Sequence, residues 1–92
     1  GEIEDVLLEH PAVSEAAVVA VPDQQWGESV GAVIVLREKA KTTDAELQEW
    51  VKQRLRSSRV PTAFRYVDQL PFNEMGKVLR RVVKQLFADL KS

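Results

Sequence analysis

The chain has 92 residues, of which 45% are hydrophobic, with one histidine, no cysteine and a formal charge of −1. That length supplies one domain with a modest core. The missing cysteines exclude a disulfide framework or thiolate metal site, one histidine cannot build a zinc site, and no apolar run approaches the roughly 18 residues of a membrane span.

Residues 1–30 carry seven carboxylates (Glu2, Glu4, Asp5, Glu9, Glu15, Asp23, Glu28) and no Lys or Arg, whereas residues 59–92 carry seven Lys/Arg against three Asp/Glu. An anionic partner would meet the C-terminal part. Along the chain, Ile3, Val6, Leu7 and His10 fall at i, i+3, i+4 and i+7, which predicts an amphipathic helix over residues 2–10 with acids in its first turn and Pro11 as its stop. His10, next to a helix-ending proline, is assigned a structural rather than a general-base role. Val13 to Val21 and Val30 to Leu36 are strands buried on at least one face. The turn residues Pro22 to Glu28 join them into an antiparallel hairpin, where Trp26 either lids the hairpin core or touches a partner domain.

Thr43 opens the next helix with a capping box, its hydroxyl reaching the Glu46 amide while the Glu46 side chain returns to Thr43. Leu47, Trp50, Val51 and Leu55 form the buried stripe of that helix, and Lys52, Arg54 and Arg56 lie on its other face. Phe64 to Val67 is a third strand, which the crossover through residues 43–56 makes parallel to the second. The stretch from Leu70 to Arg81 reads as a strand end, a turn relaxed by Gly76, and a helix start. A last helix from Val78 to Leu90 carries the stripe Leu79, Val82, Val83, Leu86, Phe87 and Leu90. Lys77 falls in or just before the first turn of that helix, where the macrodipole disfavours a cation. A broken local rule directs attention to function, because a Gly-Lys pair at a helix entrance offers backbone N–H groups and an ammonium to a phosphate or carboxylate. The order α-β-β-α-β-α gives an α+β fold, a small three-stranded sheet packed with helices.

Pro71-Phe72-Asn73-Glu74-Met75-Gly76-Lys77-Val78-Leu79-Arg80 resembles the last core motif of the adenylate-forming enzymes: acyl-CoA synthetases, peptide-synthetase adenylation domains and luciferases. Gly1-Glu2-Ile3-Glu4, His10-Pro11-x-Val13, Val21-Pro22-Asp23 with Trp26-Gly27-Glu28, and Arg59-Val60-Pro61 are similar to further blocks of that family's small C-terminal domain, in its order and over essentially the whole chain. Ser58-Arg59 departs from the commoner Tyr-Lys, keeping the charge and losing the aromatic. Leu79 stands where peptide-synthetase domains commonly have Asp, which favours the acyl- or aryl-CoA synthetase branch.

The resemblance implies that residues 1–92 are a single domain, the excised mobile C-terminal lid of a larger cytoplasmic enzyme, inactive as a ligase by itself. Its partner would be a large N-terminal adenylation domain of the same chain, which holds the carboxylic acid substrate and most contacts to ATP and Mg. By resemblance Lys77 is the catalytic cation for adenylation, Gly76 lets the backbone approach, and Lys52 sits where several acyl-CoA synthetases bind coenzyme A phosphates. Arg80 either supports the loop electrostatically or makes a structural ion pair. The alternatives are the C-terminal subdomain of a peptide-synthetase adenylation domain and a non-catalytic module binding nucleotide or RNA. Against RNA, aromatic and basic residues are not interleaved on one strand.

Overall fold

The structure is a computed structural model, described here for residues 1–23, 25, 27–55 and 60–90. Its elements are α1 (Glu2–Leu8), β1 (Val13–Asp23), β2 (Gly27–Leu36), α2 (Asp44–Arg54), β3 (Ala63–Tyr66) and α3 (Arg80–Gln85), the expected α+β order. The sheet runs β1-β2-β3, with β1 and β2 antiparallel and β2 and β3 parallel. The central position of β2 follows from the near-continuous apolar run of residues 30–36, which suits a strand covered on both faces.

Alternation along β2 divides the core in two. Ala32 and Ile34 face α1 and α2, where they meet Val6, Leu7, Leu47, Val51 and Phe64. Val33 and Val35 face the other way, onto Leu70, the α3 residue Val83 and Phe87 in the turns that follow α3. Gly31 belongs to this second face because of what lies over it. A Cβ there would come within 2.6 Å of Val21 Cγ1 and 2.9 Å of Phe87 Cζ, so the Phe87 ring packs against bare backbone.

The hairpin ladder is longer than the apolar runs suggest, extending through Pro22↔Glu28 to Asp23↔Gly27. Pro22 is tolerated because β1 is an edge strand and can lack one donor. Trp26, the expected lid of this hairpin, lies outside the described residues, as do Arg56, Ser58 and Arg59.

Two local expectations change. Thr43 Oγ1 accepts the Glu46 N–H at 3.1 Å, as a helix cap should. The Glu46 carboxylate, however, goes to His10 Nε2 at 3.1 Å instead of closing the box. His10 is buried, its Nδ1 accepts the Ala12 N–H at 3.0 Å, and its ring makes a T-shaped contact with Trp50, the centroids 4.7 Å apart. With Nδ1 accepting, Nε2 carries the proton toward Glu46. Trp50 Nε1 in turn donates to the Val6 carbonyl at 2.8 Å, so His10 and Trp50 together fasten α1 to α2. The second change is α3, which starts at Arg80 rather than Val78, gives way to turns after Gln85, and leaves Leu79 and Leu86 exposed.

Candidate functional site

The segment between β3 and α3 is a small closed loop. Leu70 is buried at its start, and the Leu79 N–H donates back to the Pro71 carbonyl at 2.8 Å. Phe72 and Val78 form an antiparallel bridge. Inside it, the Asn73 N–H donates to Lys77 O at 2.9 Å and the Gly76 N–H donates to Asn73 O at 3.0 Å. The Asn73 side chain finishes the knot, its Oδ1 accepting the N–H groups of Met75 at 2.8 Å and Lys77 at 3.0 Å. A short amide side chain that bonds its own backbone two residues on is what makes Asn a turn residue. Gly76 sits at φ +80, in the left-handed region, with open space around it, so conformation rather than crowding asks for glycine.

Lys77 is therefore on a loop tip and not in a helical turn. This corrects the expected helix entrance: the residue's backbone is committed to Asn73, which forbids helical bonding at residues 77 and 78. Its side chain is exposed, and none of the ion pairs among the described residues uses it. Around it Phe72 and Met75 expose apolar surface, Met75 to 82%.

The far end of the loop is anchored by Arg80. Its guanidinium donates to Glu4 Oε2 at 2.9 Å, to Glu4 Oε1 at 3.3 Å and to the Val18 carbonyl at 2.8 Å. Glu4 Oε2 also accepts the Val18 N–H at 2.7 Å. Burial alone would raise the Glu4 carboxyl, but the bonds from the Arg80 guanidinium and the Val18 N–H outweigh it and hold the pKa below its ordinary 4.5. Of the two readings of Arg80, the ion pair is present, and it fixes the loop as well. The sequence reading missed Glu4 as its partner; an acid in the first turn of α1 and an arginine at a helix start were the only local signals.

Lys52 is exposed on α2, beside an open groove of about 490 Å³ lined by Gln48, Glu49, Val60, Pro61 and Thr62. Gln48 Nε2 donates to the Pro61 carbonyl at 2.9 Å, linking α2 to the segment before β3. The structure does not bring Lys52 to Lys77 and Gly76: α2 packs on one face of the sheet, whereas Leu70 and Val78, which bracket the Lys77 loop, pack on the other. Among the described residues no group of three or more His, Asp or Glu is placed to hold a metal ion, and no helix is long and apolar enough to cross a membrane.

The family model of the AMP-binding enzyme C-terminal domain matches residues 2–77. The chain belongs to that family. Among curated relatives, this AMP-binding C-terminal domain is 41% identical over 91 residues to the mitochondrial malonate–CoA ligase ACSF3 of Bos taurus, covering 98% of the chain and 16% of the relative. It is 43% identical over 93 residues to the medium/long-chain-fatty-acid–CoA ligase FadD8 of Mycobacterium tuberculosis, covering 94% and 16%. Among solved structures, ATP-bound MatB from Rhodopseudomonas palustris superposes with a TM-score of 0.90 at 33% identity, over 99% of this chain and 18% of that one. The chain thus spans about 16% of the length of the curated relatives it matches.

Proposed function

We propose that this domain is the mobile C-terminal lid of an ATP-dependent acyl-CoA ligase, closing over a large N-terminal domain that binds the carboxylic acid, ATP and Mg. In such a reaction the carboxylate attacks the α-phosphate, forming an acyl-adenylate and releasing pyrophosphate. The coenzyme A thiol then attacks the acyl carbon, giving the thioester and releasing AMP. The first step brings two anions together, so a positive charge held between them lowers its barrier. The observation that carries the reading is Lys77, an exposed ammonium without a carboxylate partner among the described residues, on a loop tied by Asn73 and anchored at both ends. A fixed loop delivers that charge without reordering at the moment of reaction.

Lys52, on the opposite face and beside its groove, fits the second step as a point charge for coenzyme A phosphate. A lid with two working faces must turn between the half-reactions, which suits a small domain whose two basic sites are separated by its own sheet. Magnesium finds no ligand cluster among the described residues, so its chemistry is assigned to the large domain. Relatives named for malonate and for medium- or long-chain fatty acids match this domain about equally well, which supports placing the choice of acid elsewhere in the enzyme. The cysteine-free composition is compatible with the reducing cytoplasm.

The test is product analysis with the full-length enzyme, ATP, coenzyme A and a panel of carboxylic acids. Equal yields of AMP, pyrophosphate and thioester with at least one acid are expected. ADP and inorganic phosphate, or thioester formation without pyrophosphate, would overturn the assignment.

A further inference from the structure

The contact between Glu4 and Arg80 does more than pair two charges. Strand β1 is the outer strand of the sheet, and its Val18 N–H and C=O are taken by Glu4 and Arg80. Glu4 comes from α1, on one side of the sheet, and Arg80 from the first residue of α3, on the other. One carboxylate and one guanidinium therefore wrap the free edge of β1 and tie three elements at one backbone position. Free edges need such cover, and edge protection alone is the simplest role for the pair.

The chain around Arg80 argues for more. Helix α3 has only six residues, and Leu79, at its N-cap, offers no side-chain cap. The start of the helix is instead held by the Arg80 fork, three residues after Lys77. The opposite end of the loop is pinned by Leu70 in the core. Between these anchors the loop is closed into one unit by its own hydrogen bonds. Its direction relative to the sheet is thus set at Arg80. The Glu4 side chain is only 15% exposed and accepts hydrogen bonds on both oxygens, so the clamp is fixed in direction as well as in charge.

We infer that Glu4 and Arg80 are positioning residues for Lys77, aiming the loop by locking the start of α3 to the Val18 edge of β1. The inference rests on the proposed role of Lys77 in adenylation. Displacement of a catalytic charge by about 1 Å costs up to about 100-fold in rate, so Arg80→Ala in the full-length enzyme should slow acid-dependent pyrophosphate release by roughly 10- to 100-fold. Thioester formation from presynthesised acyl-adenylate and coenzyme A should be unchanged. Arg80→Lys keeps the charge but cannot reach both carboxylate oxygens and the Val18 carbonyl at once, so it should recover only part of the loss. Glu4→Gln, which keeps one acceptor oxygen for the Val18 N–H and Arg80 Nη1 but loses the charge and the second acceptor, is milder than Arg80→Ala and should show a smaller loss in the same half-reaction.

The deciding comparison is with Lys77→Ala. If Arg80 acts through Lys77, adding Arg80→Ala to Lys77→Ala costs nothing further in the adenylation step. A full additional loss in the double variant, equal losses in both half-reactions, or an Arg80→Ala enzyme with wild-type rates overturns the clamp while leaving the Lys77 reading in place. If Lys77→Ala itself spares adenylation, that reading falls and takes the clamp with it.

Discussion

Asn73 offers the sharpest perturbation of the loop without touching its charge. Asn73→Ala removes one carboxamide oxygen that accepts the Met75 and Lys77 N–H groups at 2.8 and 3.0 Å. An intramolecular hydrogen bond contributes a net 0.5–1.5 kcal/mol, and these two are exposed, so the pair is worth about 1–2 kcal/mol of loop order. The backbone bonds from Asn73 N–H to Lys77 O, from Gly76 N–H to Asn73 O and from Leu79 N–H to Pro71 O survive, so the loop loosens and does not unfold. If that order is used to place Lys77, 1–2 kcal/mol becomes roughly a 5- to 30-fold slower adenylation step. The assay is single-turnover pyrophosphate release by the full-length enzyme, with hydrogen exchange at the Met75 and Lys77 amides as the structural readout. Both amides should lose protection in Asn73→Ala and regain it in Asn73→Asp, which keeps an acceptor at the same reach. Unchanged amide protection, or a loss in pyrophosphate release of less than about twofold, would refute the reasoning.

Gly31→Ala places a methyl 2.6 Å from Val21 Cγ1 and 2.9 Å from Phe87 Cζ, and overpacking of this kind should destabilise the domain by about 1–3 kcal/mol. In denaturant melts, Val21→Ala should relieve part of that cost, so that the double variant is more stable than the sum of the single effects; strict additivity would contradict the packing described. Glu4, with its folded pKa held below 4.5, contributes stability that is present above that value and lost as pH falls through the depressed pKa. The gap in melting temperature between wild type and Glu4→Gln should therefore be constant near neutrality and narrow in acid, and a gap that widens on acidification would reverse the sign argued here. Lys52→Ala in the full-length enzyme should raise the KM for coenzyme A by roughly fivefold with adenylate formation intact, and an unchanged coenzyme A dependence would return Lys52 to an ordinary solvated face.

Much of the architecture is written in side-chain period. Leu47 and Val51 mark the inner face of α2, and the alternation through Ala32, Val33, Ile34 and Val35 serves both faces of β2. The central place of β2 was available in the same run, since a strand apolar on both faces needs cover on both. The start of α3 was misread because Leu79, Val82, Val83 and Leu86 fit a helical period, while the competing closure of residues 72–78 depends on one Asn73 side chain. Gly76 was readable as a turn residue, but the effect of the turn on Lys77 was not. Glu46 illustrates a tertiary override: a capping box fits its spacing, yet His10, 36 residues away, takes the carboxylate. The Glu4 and Arg80 clamp, 76 residues apart in sequence, leaves no local trace beyond an acid in the first turn of α1 and an arginine at a helix start.

The central claim is that Lys77 supplies positive charge to one half-reaction only, and the most direct measurement separates the two. The Lys77→Ala full-length enzyme should release pyrophosphate from ATP and acid roughly 100-fold more slowly or worse, as loss of one electrostatic stabiliser does elsewhere. Supplied with presynthesised acyl-adenylate and coenzyme A, the same enzyme should form thioester at the wild-type rate. Equal loss in both half-reactions would contradict the account, making Lys77 a structural residue or the lid a domain that does not change faces.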